Sequence, residues 1–90
     1  MKINANAKEF DCMVIFAVRY ALGRNSVAPM LVIDFINNNK ENVSDRAMQT
    51  IIEDIQASEN TNSLGMEYDK SLWLEFKDTL VNYRGLFSDK

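Results

Sequence analysis

The sequence predicts an all-α fold, a compact four-helix domain with short connections. Four helix-start signals are each followed by apolar residues at helical spacing. No segment alternates between apolar and polar residues with the period of two typical of a strand, and no segment repeats. The 90 residues suffice for one domain and not for two, so we expect a single helical domain over residues 1–90. The four helices are expected at residues 7–23, 27–38, 45–59 and 70–84.

The first two helices are delimited by residues with capping and turn preferences. Asn6 followed by Glu9 fits a capping box, in which each side chain satisfies a backbone N–H at the helix start. Gly23 is suited to end the first helix in a left-handed turn. Ser26 is the cap candidate for the second helix, and Pro29 falls in its first turn, where a missing N–H costs nothing.

The last two helices begin after polar segments that favour capping. The second helix is expected to end in the run Asn37–Asn39, and Ser44 then caps the third helix, with Asp45 at its positive end. Asp69 is expected to cap the fourth helix, and Gly85 to end it.

The apolar faces of the helices predict which of them are covered on several sides. The third helix has one apolar stripe, formed by Ala47, Met48, Ile51, Ile52 and Ile55. The stripe of the fourth helix consists of Leu72, Trp73, Phe76, Leu80 and Tyr83. The first and second helices are apolar around most of their circumference, and four helices cannot bury two such elements. We therefore expect a homo-oligomer, with these two helices at its interface, or a partner protein that covers them.

The residue types give no indication of catalysis. The chain has no histidine, the commonest general base and metal ligand, and its single Cys12 has no base to activate it. No phosphate-binding glycine loop and no zinc or EF-hand spacing occurs. Glu53 and Asp54 are adjacent, but they fall on the polar side of the third helix. We expect a protein that is not an enzyme, with no cofactor and no metal.

The end of the first helix carries the candidate binding residues, Arg19, Tyr20, Arg24 and Ser26. Two guanidiniums and a phenol beside a helix-breaking glycine and a helix N-terminus can hold a phosphate or a carboxylate. The structural alternative is that Arg19 pairs with Asp34, that Arg24 offsets the helix dipole and that Tyr20 lies at the edge of the core.

The net charge and the cysteine content indicate which partners and which compartment to expect. The net charge of −3 and the few basic residues of the second and third helices, Lys40 and Arg46, argue against a nucleic-acid partner. One cysteine allows no intrachain disulfide, and we see no signal peptide and no apolar run long enough for a bilayer. We expect a cytoplasmic protein that does not bind a membrane.

The segment 16–24, which reads FAVRYALGR, resembles a signature of small uncharacterised proteins of tailed phages and prophages. In that family a RYALGR-like segment precedes an apolar helix, a Ser-Asp-capped helix with Ile-rich spacing and a late Asp-x-x-x-Trp. The matching positions here are Ser44-Asp45, Ile51, Ile52, Ile55, Asp69 and Trp73. Asn25-Ser26-Val27 departs from the polar-aromatic sequence that often follows the Gly-Arg. The resemblance covers most of the chain and carries no activity, but it implies a phage or prophage setting, and a host cytoplasm.

Two functions fit these expectations. The first is a non-enzymatic phage or prophage accessory protein that binds and inhibits a host protein such as a defence factor. The alternative is an oligomeric protein that sequesters a small anionic, nucleotide-like ligand at the Arg19, Tyr20 and Arg24 cluster. If that cluster is only a cap and a salt bridge, binding falls to an outer patch such as Leu74 and Val81.

Overall fold

The computed structural model describes residues 7–24, 27–65 and 67–84. It confirms the all-α four-helix domain, and the described residues contain no strand. The elements are α1 (Ala7–Ala21), α2 (Ala28–Asn37), a short 3-10 turn (Lys40–Asn42), α3 (Asp45–Asn60) and α4 (Glu67–Arg84). The sequence did not predict the 3-10 turn, and α4 begins three residues earlier than expected.

The four helices pack as two hairpins laid one on the other. α1 and α2 pack side by side, and so do α3 and α4. Between the hairpins, α1 lies against α3 and α2 lies against α4. α2 and α3 are therefore diagonal to each other, and the connection between them crosses the domain. The Cα atoms extend over 35 × 35 × 17 Å, as expected for two layers of helices.

The core lies between the two hairpins and contains the predicted inner faces. All five residues of the apolar stripe of α3 are buried, which confirms that stripe. From α4, Trp73, Phe76 and Leu80 are buried, and the rings of Trp73 and Phe76 lie 6.1 Å apart. The prediction for Tyr83 was wrong, because this side chain lies half-exposed near the end of α4, where the Lys40 Nζ sits 5.3 Å from its ring.

The predicted cap of α3 and the predicted glycine after α1 are confirmed. The Ser44 Oγ accepts a hydrogen bond from the Ala47 N–H at 3.1 Å and so caps α3. Gly23 follows α1 with a φ of +80°, the left-handed conformation that glycine adopts without a steric cost. A Cβ atom at Gly23 would lie 3.0 Å from the Ser63 carbonyl oxygen, so the α1–α2 turn rests against the α3–α4 loop.

The prediction that Asp69 caps α4 was wrong. α4 begins at Glu67, which places Asp69 inside its first turn, largely buried. An acidic residue is favoured both at a cap and in the first turn, because both lie at the positive end of the helix dipole, and the sequence does not separate the two positions. At α2 the N-cap is Val27, whose side chain makes no cap bond. Asn6, Ser26 and Gly85, expected at other helix ends, lie outside the described residues.

Candidate functional site

The outer face of the α1–α2 hairpin carries most of the exposed large apolar side chains of the described residues. We call it the α1–α2 face and define it by Met13, Phe16, Tyr20, Val27, Met30 and Leu31. Phe16 is 73% exposed, Val27 62% and Leu31 59%. Leucine and phenylalanine are normally among the most buried residues, whereas Phe16 and Leu31 are exposed on the same layer of the domain. The face therefore matches the sequence expectation that α1 and α2 exceed what this chain can bury.

The helical period explains why the face exists. On α1, Phe10, Val14 and Val18 point into the domain and are buried. Met13, Phe16 and Tyr20 follow the same three- and four-residue spacing on a different side of the helix and are left exposed. A helix needs only one apolar stripe to join a two-layer domain, so the second stripe is surplus to the fold.

Arg19 does not belong to this face. Its Nε donates to the Asp54 Oδ2 at 2.7 Å, which ties α1 to α3, and both side chains are partly open to solvent. This hydrogen bond, and then the charge of Asp54, raise the pKa of Arg19 above its ordinary value. The alternative pairing of Arg19 with Asp34 does not form, because Arg19 lies on the α3 side of α1, bound to Asp54, and Asp34 is exposed on α2.

Tyr20 and Arg24 are brought together at the end of α1. The Arg24 guanidinium carbon lies 4.0 Å from the centre of the Tyr20 ring, and Arg24 Nε donates to the Tyr20 carbonyl oxygen at 2.8 Å. The stack is a cation–π contact, and the hydrogen bond satisfies one of the unpaired carbonyls of the helix end. Of the predicted cluster, this pair is therefore adjacent, Arg19 points elsewhere, and Ser26 lies outside the described residues.

Asp11 has a structural role that the sequence analysis missed. Its Oδ2 accepts from the Ser44 hydroxyl at 2.6 Å, and its Oδ1 accepts from the Ser44 backbone N–H at 3.2 Å. The carboxylate thus holds the start of α3 against α1. The same cleft between α1 and α3 is lined by Lys8, Cys12 and Arg46, and it measures about 240 Å³. No sequence motif links positions 11 and 44, so only the packing of the two helices shows this contact.

A shallow groove between α3 and α4 contains part of the outer patch. Val81 lines this groove of about 310 Å³ together with Ile52. Leu74 is half-buried and packs against the core. On the polar rim, Lys77 Nζ donates to the Gln56 Oε1 at 2.7 Å. The polar side chains at the rim are therefore hydrogen-bonded to each other. The α1–α2 face presents more apolar surface than this groove does.

Within residues 7–24, 27–65 and 67–84, His, Cys, Asp and Glu form no group of three or more able to hold a metal ion. None of the helices in these ranges is both long and apolar enough to cross a bilayer. Comparison of the chain with protein families, with curated proteins and with solved structures finds no match.

Proposed function

We propose that this protein acts by binding a second protein through the α1–α2 face, with no bond made or broken. In this proposal it is a phage or prophage accessory protein that works in the host cytoplasm. Its target is a host protein, such as a defence factor, which it inhibits by covering a surface that the target needs. The phage setting rests on the resemblance of the RYALGR segment, and the binding surface rests on the geometry of α1 and α2.

The observation that supports this proposal is the concentration of exposed apolar side chains on one layer of the domain. Soluble monomers expose large contiguous apolar patches mainly where they bind a partner. Aromatic residues and methionine are enriched at the centres of protein interfaces, and the face contains Phe16, Tyr20, Met13 and Met30. These side chains extend from helices that the core already holds rigid, so binding does not require the backbone to become ordered.

The lack of histidine, the commonest general base, supports a binding role over an enzymatic one. Histidine is missing, and a general base or a covalent nucleophile has to be supplied by other groups. The carboxylate of Asp54 is bound to Arg19 and that of Asp11 to Ser44. Both therefore serve the packing of α1 against α3.

The test uses Phe16→Asp with Tyr68→Asp as a matched control. Both residues are exposed aromatics on helices, and Tyr68, 67% exposed, lies on α4, in the other hairpin of the domain. Immobilised wild type, F16D and Y68D are incubated with lysate of a bacterial host, and retained proteins are quantified. We expect one protein to be retained by wild type and Y68D and lost with F16D, and its activity to fall when purified wild type is added. Equal retention by all three chains would reject the α1–α2 face.

The second candidate function is sequestration of a small anionic ligand. The specific observation that favours it is the Arg24–Tyr20 pair, a guanidinium already stacked on an aromatic ring and able to hold a phosphate beside it. A thermal-shift screen with nucleotides and cyclic nucleotides tests this, because a ligand that binds only the folded protein raises its melting temperature. A rise seen with wild type and lost with Arg24→Ala supports it, and no rise with any nucleotide rejects it.

A further inference from the structure

One stripe of α1 has a symmetric order of residue types. Glu9, Met13, Phe16 and Tyr20 follow each other at spacings of four, three and four, which keeps them on one side of a helix. The Arg24 guanidinium extends the stripe, because it stacks on the Tyr20 ring. The stripe thus has an acid at its first end, apolar residues in its middle and a base at its last end.

The midpoint of this stripe lies between positions 16 and 17. Glu9 and Arg24 are equally far from it, and so are Met13 and Tyr20. When a helix pairs antiparallel with a copy of itself, residues equidistant from the midpoint face each other. Glu9 then meets Arg24 of the second copy at both ends, and Met13 meets Tyr20. In this pairing each charged residue faces an opposite charge and each apolar residue faces an apolar one. A self-complementary interface requires this order.

From this order we infer that the α1–α2 face is covered by a second copy of the chain, in an antiparallel two-fold dimer. The inference rests on the proposed function, because it assigns a partner to the same binding face. The dimer is the resting state of the protein, and a host target binds after the two copies separate. Self-association therefore sets how much of the face is open to the target.

α2 places the two-fold axis at the same level as α1 does. The rings of Phe10 and Phe35 lie 6.3 Å apart, which fixes the antiparallel register of the α1–α2 hairpin. In that register the midpoint of the α1 stripe lies beside positions 28 and 29 of α2. The exposed Val27 and Met30 are equidistant from this point, so Val27 faces Met30 of the second copy. α1 thus pairs with its copy along its length, whereas α2, which begins at Ala28, meets its copy only through its first turn.

The size of the face fits one side of a dimer interface. At roughly 150–250 Å² for a fully exposed aromatic side chain and somewhat less for the aliphatic ones, the six exposed side chains leave on the order of 600 Å² of surface open to solvent. A stable interface buries about 800 Å² on each partner. The half-buried Ala17 and Ala28, together with the charged ends of the stripe, supply most of the difference.

The charged ends are arranged for pairing across the axis. Arg24 is held over the Tyr20 ring by its 2.8 Å hydrogen bond, so its side chain is already ordered when a second copy approaches. Glu9 is exposed, and a carboxylate offers about four acceptor positions, so an added bond to Arg24 leaves room for others. These rim contacts contribute modestly to affinity and strongly to orientation, because a parallel pairing places like charges together.

The oligomeric state of the purified chain tests the inference directly. Sedimentation across the micromolar range should give twice the 10.3 kDa chain mass for the wild type and for Y68D. F16D should be monomeric, with a dissociation constant raised at least about a hundredfold, since it buries a charge at the centre of the interface. A wild type that stays monomeric up to the highest micromolar concentration overturns the dimer, as does an F16D chain that still dimerises.

The antiparallel register has a test of its own, in which two charge reversals are mixed. R24E and E9R should each weaken self-association by about tenfold, because like charges then meet at both ends of the interface. Mixed in equal amounts, the two chains should form a heterodimer as stable as the wild-type dimer, since every charge again faces its opposite. Circular dichroism melts confirm that both variants fold. Single variants that associate as well as the wild type overturn this register, and so does a mixture that associates no better than either chain alone.

The outcomes separate this inference from the proposed function. A monomeric wild type that loses its host target with F16D refutes the dimer and supports target binding through the face. A dimeric wild type that retains host proteins equally with and without Phe16→Asp supports the dimer and refutes target binding through the face.

Discussion

Replacing Ser44 by alanine should remove two contacts that act on the same helix end. The Ser44 hydroxyl accepts the Ala47 N–H at 3.1 Å, and it donates to the Asp11 carboxylate at 2.6 Å. The first contact caps α3, and the second joins α3 to α1. Ser44→Ala therefore weakens a helix terminus and a tertiary contact in one step, and it leaves in place the 3.2 Å bond from the Ser44 backbone N–H to the Asp11 carboxylate.

The expected cost is a sum of two measured types of interaction. Loss of an N-cap costs about 0.5–2 kcal/mol, and loss of a hydrogen bond to a charged group about 1.5–3 kcal/mol. Because the backbone N–H still donates to Asp11, we expect about 2–4 kcal/mol in total for Ser44→Ala. For a domain of this size, each kcal/mol lowers the melting temperature by roughly 4–8 °C, so the drop should exceed about 8 °C.

Urea unfolding followed by circular dichroism and by the fluorescence of Trp73 measures this cost. Ser71→Ala is the matched control, because Ser71 is exposed within α4, and it should change the free energy of unfolding by less than about 0.5 kcal/mol. Ser44→Thr keeps the hydroxyl and should retain most of the stability. A Ser44→Ala chain as stable as the Ser71→Ala chain would refute the assignment of Ser44 as both cap and tether.

Three further substitutions separate tight contacts from exposed ones by the same unfolding assay. Arg19→Ala should cost about 0.2–1 kcal/mol, since its pair with Asp54 is partly open to solvent, and a larger loss would show that the pair is better shielded than its exposure indicates. Asp34→Ala should cost less than about 0.5 kcal/mol, because Asp34 is exposed and Arg19 does not reach it; a loss above about 3 kcal/mol would restore the rejected pairing. Gly23→Ala should cost about 1–3 kcal/mol, because φ is +80° and the added Cβ approaches the Ser63 carbonyl to 3.0 Å; a neutral result would mean that the turn shifts freely.

The parts of the fold that could be predicted from the sequence are those decided within one helix. Four apolar patterns and local signals such as Ser44 and Gly23 sufficed for the number of helices and for several of their ends. The errors arose where two local explanations predict the same residue, as at Asp69, which fits a cap and a first turn equally. Helix ends also respond to tertiary packing, which the pattern of one segment does not contain.

The candidate site was predictable in its apolar part and not in its polar part. Two helices with more apolar surface than the fold can bury predict an exposed face, whatever the packing. The partner of a charged side chain depends on which helices touch, and Arg19 meets Asp54 only because α1 packs on α3. For the same reason the contact between Asp11 and Ser44 has no sequence signal. Arg24 and Tyr20 were foreseeable as a pair, since both belong to one helix end.

The diagonal connection between α2 and α3 divides the chain into two hairpins. Each hairpin is continuous in sequence and supplies one layer of the domain, and the 3-10 turn Lys40–Asn42 is the described crossing between them. Cleavage there leaves two fragments whose buried faces pack against each other, with Val43 in the core and Ser44 hydrogen-bonded to Asp11 of the other fragment. The two pieces are thus suited to fragment complementation, in which fused reporter halves come together when the fragments dock.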